Sequence, residues 1–355
     1  MTSPAYSRRV NRAQQLVGEA GLAGLVVGSG SQLRYLTGLT LSSHERLTAL
    51  VVPAEGEPVL VVPATDAAGL DDHYVVTWRD GDNPYRLCAK FIGEGTVALG
   101  TALTADHVLR LQTHFRKTVL AQDVLAQLFM VKDDAEIAEL RQAGEAIDRV
   151  HARVPELLEP GRTEADVAAD LRRLILQDHA AVDFVIVGSG PNGANPHHDY
   201  SSRVLEPGDP VVVDIGGTLV SGYRSDCTRT YQVKGVRDPE FLRAYETLVA
   251  AQASAVASVR PGVTAGEIDA AARELIERAG YGNYFSHRTG HGIGLDTHEA
   301  PYIIGGSDQV INKGMAFSVE PGIYVPGKWG MRVEDIVVVT GDGCERLNNQ
   351  PRDLQ

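Results

Sequence analysis

The sequence predicts an α/β (α+β) protein of two domains, the second of which contains an internal repeat with pseudo-two-fold symmetry. Three observations support this prediction. The first third of the chain alternates short apolar runs with amphipathic segments. A long amphipathic segment then separates this region from the rest. Beyond that segment, a pattern of residues recurs in order about 100 positions later.

The first domain is predicted from apolar runs of strand length. These runs lie at residues 23–28, 48–53, 58–63, 74–78 and 96–100. Amphipathic segments near residues 6–20 and 103–115 indicate helices. The glycines of "VGSGSQ" lack the lysine and the spacing of a phosphate-binding loop, so no nucleotide site is predicted in this domain.

The segment "DDAEIAELRQAGEAIDRVHARVPELLEPG" predicts a long amphipathic helix that opens the second domain, because its apolar residues recur every three to four positions. Asp133 and Glu136 have the spacing of a capping box at its start, and Pro160 with the following glycine ends it. We therefore assign residues 1–125 to the first domain and residues 126–355 to the second.

The second domain repeats itself in three consecutive matches. "PGRTEADVAADLRRLI" (160–175) aligns with "PGVTAGEIDAAARELI" (261–276), with seven of sixteen positions identical. "LEPGDPVVVDIG" (205–216) then aligns with "INKGMAFSVEPG" (311–322), and "GYRSD" (222–226) with "GMRVE" (330–334). One such match could arise by chance, but an ordered series indicates a duplicated unit of two helices followed by strands.

The repeat brings four carboxylates into register, since Asp214 aligns with Glu320 and Asp226 with Glu334. If the halves pack symmetrically, these four side chains converge on one pocket. Four buried carboxylates would repel one another strongly unless cations neutralised them. Two divalent metal ions would balance the charge.

Taken singly, each candidate has a simpler explanation. Asp226 and Glu334 could form salt bridges with neighbouring arginines, and Asp214 could be a turn residue before two glycines. His197 lies in a loop rich in proline, asparagine and glycine, where a solvated histidine is common. His291 could be a hydrogen-bonded loop residue. The register of the repeat favours the metal-binding interpretation of the set.

These residues also carry a resemblance to a known family. "DIGG…SDCTRTY", "HRTGHGIGLDTHE", "SVEPGIY" and "MRVEDIVVVT" resemble the motifs of the pita-bread (M24) metallopeptidases, which include methionine aminopeptidase, aminopeptidase P and prolidase. The chain is most similar to bacterial Xaa-Pro dipeptidases of actinobacterial type. The resemblance implies a creatinase-like N-terminal domain followed by a pita-bread catalytic domain.

The resemblance implies a role for each motif residue. The ligands of a dinuclear metal site would be Asp214, Asp226, His291, Glu320 and Glu334. Glu320 would act as general base, with His287 and His298 donating hydrogen bonds to the tetrahedral intermediate. The substrate-binding positions would be His197, His287, His298, Tyr324 and Arg332. Four hard oxygen ligands and one imidazole suit Mn²⁺, Co²⁺, Fe²⁺ or Zn²⁺; the carboxylate-rich ligand set, together with the resemblance, favours Mn²⁺.

The expected function is therefore the hydrolysis of Xaa-Pro bonds, with Xaa-Pro dipeptides or short Xaa-Pro peptides as substrates. A dipeptidase is preferred, an aminopeptidase P that acts on longer peptides is the alternative, and a non-catalytic peptide-binding protein is a minor one. The formal net charge of −13 argues against nucleic-acid or anionic-membrane partners. Three widely spaced cysteines fit the cytoplasm, and a homodimer is expected from the resemblance.

Overall fold

In a computed structural model that describes residues 4–42, 44–70 and 73–354, the chain divides into two compact units, Met1–Phe129 and Met130–Gln355. The division lies a few residues beyond the one that we placed after residue 125. None of the helices among these described residues has both the length and the apolar character to cross a lipid bilayer.

The first unit is a mixed sheet with helices around it. Its strands are β1 (Gly24–Gly28), β2 (Ala49–Pro53), β3 (Val59–Pro63), β4 (Val75–Trp78), β5 (Thr96–Leu99) and β6 (Lys117–Leu120). Its helices are α1 (Pro4–Glu19), α2 (Ser31–Thr37), α3 (Pro84–Ile92), α4 (Ala105–Gln112) and α5 (Ala121–Met130), whose last residue belongs to the second unit.

The six strands have the order β4-β3-β2-β1-β5-β6. The pairs β1–β2 and β2–β3 are antiparallel, whereas β3–β4, β1–β5 and β5–β6 are parallel. The five predicted strands are confirmed, and each central strand is fully buried, as expected for continuous apolar runs. Strand β6 was not predicted, because its sequence KTVL is short and half exposed at the sheet edge.

The second unit contains the predicted repeat of two helices followed by strands. Its helices are α6 (Asp134–His151), α7 (Val154–Leu157), α8 (Glu164–Ile175), α9 (Pro239–Ser258) and α10 (Ala265–Arg278). Its strands are β7 (Ala181–Ser189), β8 (Pro210–Thr218), β9 (Cys227–Gln232), β10 (Gly290–Gly292), β11 (Glu299–Ile303), β12 (Ala316–Val319), β13 (Gly322–Val325), β14 (Trp329–Arg332), β15 (Asp335–Val339) and β16 (Cys344–Arg346).

The two halves have the same order of elements. In the first, α6 and α8 precede the antiparallel sheet β7-β8-β9; in the second, α9 and α10 precede the sheet β11-β10-β12-β15-β16 and the hairpin β13-β14. Thr163 and Thr264, which the sequence aligns, each form a capping box at the start of α8 and α10. Each threonine also forms an antiparallel bridge, Thr163 with Val204 before β8 and Thr264 with Val310 before β12.

The long helix at the start of the second unit is shorter than predicted. Its capping box of Asp133 and Glu136 is confirmed, but α6 ends at His151 rather than at Pro160. A separate turn, α7, follows with Pro155 in its first turn. Proline has no N–H to continue the hydrogen-bond ladder and clashes with the preceding turn, so the amphipathic pattern continues while the helix does not.

The halves meet along β9 and the segment between β14 and β15. Arg332 N donates to Thr230 Oγ1 at 3.0 Å, and Glu334 N donates to Thr228 O at 3.1 Å. Glu334 therefore interrupts the strand, as its sequence predicts, and lies against the first half. This contact places residues that are about 100 positions apart on opposite walls of one cavity.

Candidate active site

A cavity of about 610 Å³ lies within the second unit. It is lined by Phe184, Ile186, Pro196, His197, Asp199, Asp214, Asp226, His287, Arg288, His291, His298, Ile304, Glu320, Arg332 and Glu334. Nine of the ten site residues expected from the sequence are in this set; Tyr324 lies behind the wall.

The four carboxylates occupy two positions of the repeat, each present in both halves. Asp214 lies within β8, directly opposite Thr228 of β9. Asp226 immediately precedes β9, Glu320 immediately follows β12, and Glu334 lies between β14 and β15. All four are therefore held by buried strands, which fixes their backbone positions.

Asp214, Asp226 and Glu334 are buried and Glu320 is partly buried, and two of the buried carboxylate oxygens lack a hydrogen-bond partner among the described residues. Asp214 accepts from Arg332 Nη2 at 2.6 Å through Oδ2, and Glu334 accepts from Thr228 Oγ1 at 2.8 Å through Oε2. Asp214 Oδ1 and Glu334 Oε1 are buried without a hydrogen-bond partner among the described residues. Since a buried carboxylate oxygen without a partner is costly, these two atoms fit metal ligation.

The charge distribution also fits a bound cation. Burial raises the pKa of Asp226 and Glu334 well above the ordinary range, and neighbouring carboxylates raise it further. One ligand atom each from Asp226, His291 and Glu334 lie within 4.8 Å of one another, close enough to hold a metal ion. A divalent cation would stabilise the ionised forms of these carboxylates.

His291 presents one ring nitrogen to this cluster. Its Nδ1 lies 3.1 Å from the carbonyl oxygen of Gly292, which can only accept, so Nδ1 carries the proton. Nε2 then directs its lone pair at the cluster, 3.1 Å from Glu320 Oε1 and 3.8 Å from Asp226 Oδ2. This tautomer is the one that a metal ligand requires.

The glycines beside His291 allow its strand to approach its neighbours closely. A Cβ atom on Gly290 would lie 1.8 Å from the carbonyl oxygen of Ser318, and one on Gly292 would lie 2.2 Å from that of Ala300. Any other residue at either position would push β10 away from β12 or β11. The glycine spacing that argues against a helix in the sequence is therefore a packing requirement of this short strand.

Arg332, Tyr324 and His287 form a hydrogen-bonded chain beside the carboxylates. Arg332 Nη1 donates to Tyr324 Oη at 2.6 Å, and Tyr324 Oη lies 2.9 Å from His287 Nε2. His287 Nδ1 faces the carbonyl oxygen of Arg288 at 2.7 Å, so Nδ1 is the donor and Nε2 accepts from the tyrosine. Burial raises the pKa of Tyr324 to about 12, which keeps its hydroxyl protonated.

These hydrogen bonds change the role that we expect of His287. We expect it to donate a hydrogen bond to the substrate, whereas both of its ring nitrogens already face protein partners. A contact between the Nε2 atom and a substrate therefore depends on opening the hydrogen bond with Tyr324. In this arrangement His287 holds Tyr324, and Tyr324 holds the Arg332 side chain that pairs with Asp214.

His298 has both ring nitrogens available to a substrate. Its ring lies edge-on to that of His291, with 4.1 Å between the centroids, and neither of its ring nitrogens forms a hydrogen bond with the described residues. Burial lowers the pKa of His298 to about 4, and the nearby His291 ring contributes. It is therefore neutral at pH 7 and offers one donor and one acceptor to the cavity. His197, its counterpart in the repeat, is exposed on the opposite wall.

The sequence analysis did not identify the apolar wall of the cavity or the guanidinium of Arg288. Phe184, Ile186, Pro196 and Ile304 contribute apolar surface. Phe184 and Ile186 alternate along β7, so the two-residue period of a strand could have placed them together. Arg288 stacks on the ring of Tyr302 at 4.6 Å and forms no ion pair with a carboxylate of the described residues.

Comparisons with known proteins cover the whole chain. The model of metallopeptidase family M24 matches residues 138–341, and that of the creatinase/prolidase N-terminal domain matches residues 9–131. The crystal structure of dipeptidase PepE from Mycobacterium ulcerans has a TM-score of 0.96 at 52% identity, covering 100% of this chain and 98% of that one. Prolidase from Thermococcus sibiricus has a TM-score of 0.91 at 37% identity, with 99% of each chain covered. The Xaa-Pro dipeptidase of Lactobacillus delbrueckii subsp. lactis is 34% identical, with 98% of each chain covered.

Proposed function

Because the chain belongs to metallopeptidase family M24, with a creatinase/prolidase N-terminal domain before the catalytic one, we propose that it is a Xaa-Pro dipeptidase. The resemblance found in the sequence motifs and the fold class are confirmed by the family matches, and the chain is an enzyme, a metallopeptidase. Relatives that bear the names dipeptidase, prolidase and Xaa-Pro dipeptidase support the dipeptide substrate.

The observation that favours a dipeptidase is the Arg288 guanidinium at the wall of the cavity. A Xaa-Pro dipeptide ends in a free carboxylate directly after the proline, whereas a longer peptide continues with an uncharged amide. Arg288 lines the cavity and is paired with no carboxylate of the described residues, so it can receive that terminal carboxylate. Phe184 and Ile304 offer apolar surface to the pyrrolidine ring.

We assign the metal ligands to Asp214, Asp226, His291, Glu320 and Glu334. The unpartnered oxygens of Asp214 and Glu334 and the raised pKa values of Asp226 and Glu334 support this assignment. Two divalent ions, when bound, would activate a water molecule as the nucleophile and polarise the scissile carbonyl. Mn²⁺ is the proposed ion, since hard carboxylate oxygens outnumber the single imidazole.

Glu320 is the proposed general base. Burial raises the pKa of its carboxyl group, but the contact with the His291 ring and the nearby Arg332 guanidinium outweigh burial and bring the pKa to about 2. Glu320 is therefore ionised at neutral pH and can accept a proton from the attacking water. Ser318 Oγ donates to Glu320 Oε1 at 2.9 Å and orients the carboxylate towards His291.

The substrate-side residues have distinct proposed roles. His298 donates a hydrogen bond to the oxyanion that develops at the carbonyl, because its ring N–H is bonded to none of the described residues. His287 acts with Tyr324 and Arg332 to hold Asp214, and contacts the substrate once its bond to Tyr324 opens. His197 contacts the substrate from the wall formed by the first half.

The proposal also includes a homodimer and a cytoplasmic location. The first is supported by the family resemblance and the second by the three widely spaced cysteines, of which Cys88 and Cys227 are buried as free thiols. Size-exclusion chromatography with light scattering would test the dimer.

Hydrolysis of Ala-Pro, Ala-prolinamide and Ala-Pro-Ala by the Mn²⁺-loaded protein tests the function, with Arg288→Gln as the variant. We expect Ala-Pro to be preferred, and Arg288→Gln to raise KM for Ala-Pro by about 10- to 100-fold, as for a lost charge-assisted hydrogen bond. KM for Ala-prolinamide should change little, because that substrate lacks the carboxylate.

Two outcomes would contradict the dipeptidase proposal. Equal turnover of Ala-Pro-Ala, with Arg288→Gln unaffected on all three substrates, would assign the chain to aminopeptidase P activity instead. No hydrolysis of any of the three, combined with no bound metal after gentle purification, would favour the peptide-binding alternative.

A further inference from the structure

Glu164 is a fully buried carboxylate outside the cavity, and every hydrogen bond that its carboxylate accepts from the described residues comes from one loop. It occupies the first position of α8, directly after the capping residue Thr163. Its two oxygens accept hydrogen bonds from backbone and side-chain donors at 2.7–3.2 Å. These donors are Ser189 N and Oγ, Asn192 Nδ2, His198 Nε2, and Ser201 N and Oγ.

These donors span the whole of the segment that connects β7 to the chain before β8. Ser189 ends β7, Asn192 lies in the 3-10 turn Gly190–Ala194, and His198 and Ser201 lie beyond it. A single carboxylate thus fastens the two ends and the middle of the segment 189–201. Burying a charge without partners would be costly, so this many donors converge only if the loop has one defined shape.

The segment 189–201 carries residues that face the cavity. Pro196 and His197 lie between Asn192 and His198, two of the residues held by Glu164, and both line the cavity. The carbonyl oxygen of Pro196 also accepts from Arg332 Nη1 at 3.4 Å, which joins the loop to the arginine that pairs with Asp214. The Glu164 carboxylate therefore lies on one side of the loop and the cavity on the other.

The second half fastens its own histidine loop to a buried carboxylate in the same way. Asp269 of α10 accepts from Thr289 N at 3.2 Å and from Thr289 Oγ1 at 2.7 Å. It also pairs with Arg273, whose Nη2 donates to the carbonyl oxygen of His287 at 2.9 Å. The two walls of the cavity are thus anchored separately, each by the helix of its own half.

We propose that Glu164 is a positioning residue for substrate binding, which acts through the loop 189–201 by holding His197 against the substrate. This inference rests on the proposed function, because it takes His197 as a contact of the dipeptide. His198 connects Glu164 to His197, because its Nε2–H donates to Glu164 and its backbone is joined directly to that of His197. Glu164 itself touches neither substrate nor metal ligands.

The test is a double-mutant cycle on the Mn²⁺-loaded protein with Ala-Pro as substrate. Glu164→Gln keeps the shape of the side chain but replaces one accepting oxygen with a donor, so part of the donor set loses its partner. We expect kcat/KM to fall by about 10- to 100-fold, mainly through KM, since misplacing a binding group by about 1 Å has effects of this size. In a His197→Ala background, the same change should have less than about a threefold effect, because the residue through which it acts is gone.

Asp269→Asn is the matched control, because it removes the corresponding carboxylate from the other wall. Its effect should multiply with that of His197→Ala, since it acts on a different loop. Bound metal per protein should be unchanged in Glu164→Gln. If Glu164→Gln does not fold, Ser201→Ala removes one donor of the same set and takes its place in the cycle.

Hydrogen exchange of the segment 189–201 separates this inference from the proposed function. The amides of Ser189 and Ser201 donate to Glu164, so Glu164→Gln should accelerate their exchange whether or not Ala-Pro is a substrate. Unchanged amide exchange in Glu164→Gln would overturn the positioning role. An equally large effect of Glu164→Gln on kcat/KM in the His197→Ala background would overturn it too. A wild-type protein that cleaves no Xaa-Pro dipeptide but shows the accelerated exchange in Glu164→Gln would refute only the proposed substrate and leave the anchoring of the loop standing.

Discussion

Thr228 offers the sharpest test of the proposed metal centre, because its hydroxyl lies between two charged groups. Thr228 Oγ1 donates to Glu334 Oε2 at 2.8 Å and accepts from Arg332 Nε at 3.1 Å. The residue is fully buried on β9. Thr228→Val keeps the volume and the branched shape of the side chain while removing both hydrogen bonds.

The expected magnitude follows from those two bonds. A hydrogen bond to a charged partner contributes about 1.5–3 kcal/mol, and a charged group that is left without a partner when buried adds a penalty. Part of this loss appears as lower stability of the metal-free protein. Because Glu334 is a proposed ligand whose orientation the hydroxyl fixes, metal affinity should fall by about 10- to 100-fold.

Thr230→Val is the matched control two residues along the same strand. Thr230 is equally buried, and its hydroxyl also donates once and accepts once, but both partners are backbone atoms of Arg332. We expect a comparable loss of stability in thermal unfolding of the metal-free proteins. Competition with a chelator for Mn²⁺ should show weaker binding only for Thr228→Val. Equal metal affinities for the two variants would refute the assignment of Glu334 as a ligand oriented by Thr228.

Two further predictions concern the histidines. His298→Ala should lower kcat for Ala-Pro while metal content, measured by atomic emission, stays at the wild-type level; loss of metal instead would identify His298 as a ligand. His151 is fully buried between Tyr231 and the carbonyl oxygen of Cys227, and burial, with the Arg229 charge adding to it, lowers its pKa from 6.5 to about 3. Since the folded state holds this histidine neutral, its contribution to stability is complete above pH 6.5 and is lost as the pH falls towards 3. At pH 4.5 the loss of stability is on the order of 3 kcal/mol. His151→Gln should remove that part of the acid sensitivity in urea unfolding measured at pH 7.5 and pH 4.5, and an unchanged pH dependence would contradict this prediction.

The sequence predicted the elements whose patterns are local. Asp214 and Glu320 could be identified because each follows an apolar strand-like run, where a buried carboxylate requires a partner. Glu334 could be identified because it interrupts such a run. The strands of the first unit were equally clear. The break between α6 and α7 was not predicted, because the amphipathic period continues through it. Only the position of Pro155 relative to the turn decides where α6 ends.

Residues whose role depends on distant neighbours were not predictable in this way. In the sequence, Thr228 has the features of an ordinary strand residue. Its hydroxyl has a role only because Arg332 and Glu334 lie against it, more than 100 positions later in the chain. Arg288 stands beside a predicted site residue, but its sequence position does not reveal that it lines the cavity and pairs with no carboxylate of the described residues. The structure supplies that information through the packing of Arg288 on Tyr302.

The repeat identifies residues that match between the two halves, but it does not identify residues that have a role in one half only. Arg224 and Arg332 occupy matching positions, yet Arg224 pairs with Asp183, whereas Arg332 pairs with Asp214 in the cavity. Glu164 has an alanine, Ala265, at its matching position, so an argument from symmetry passes over it. Duplication thus accounts for the four carboxylates that the halves share. Residues at positions where the halves differ have a role in only one wall of the cavity. The second half supplies His291, a proposed metal ligand, and the first half supplies a loop held by Glu164, so a change at Glu164 should alter substrate binding more than it alters the proposed metal centre.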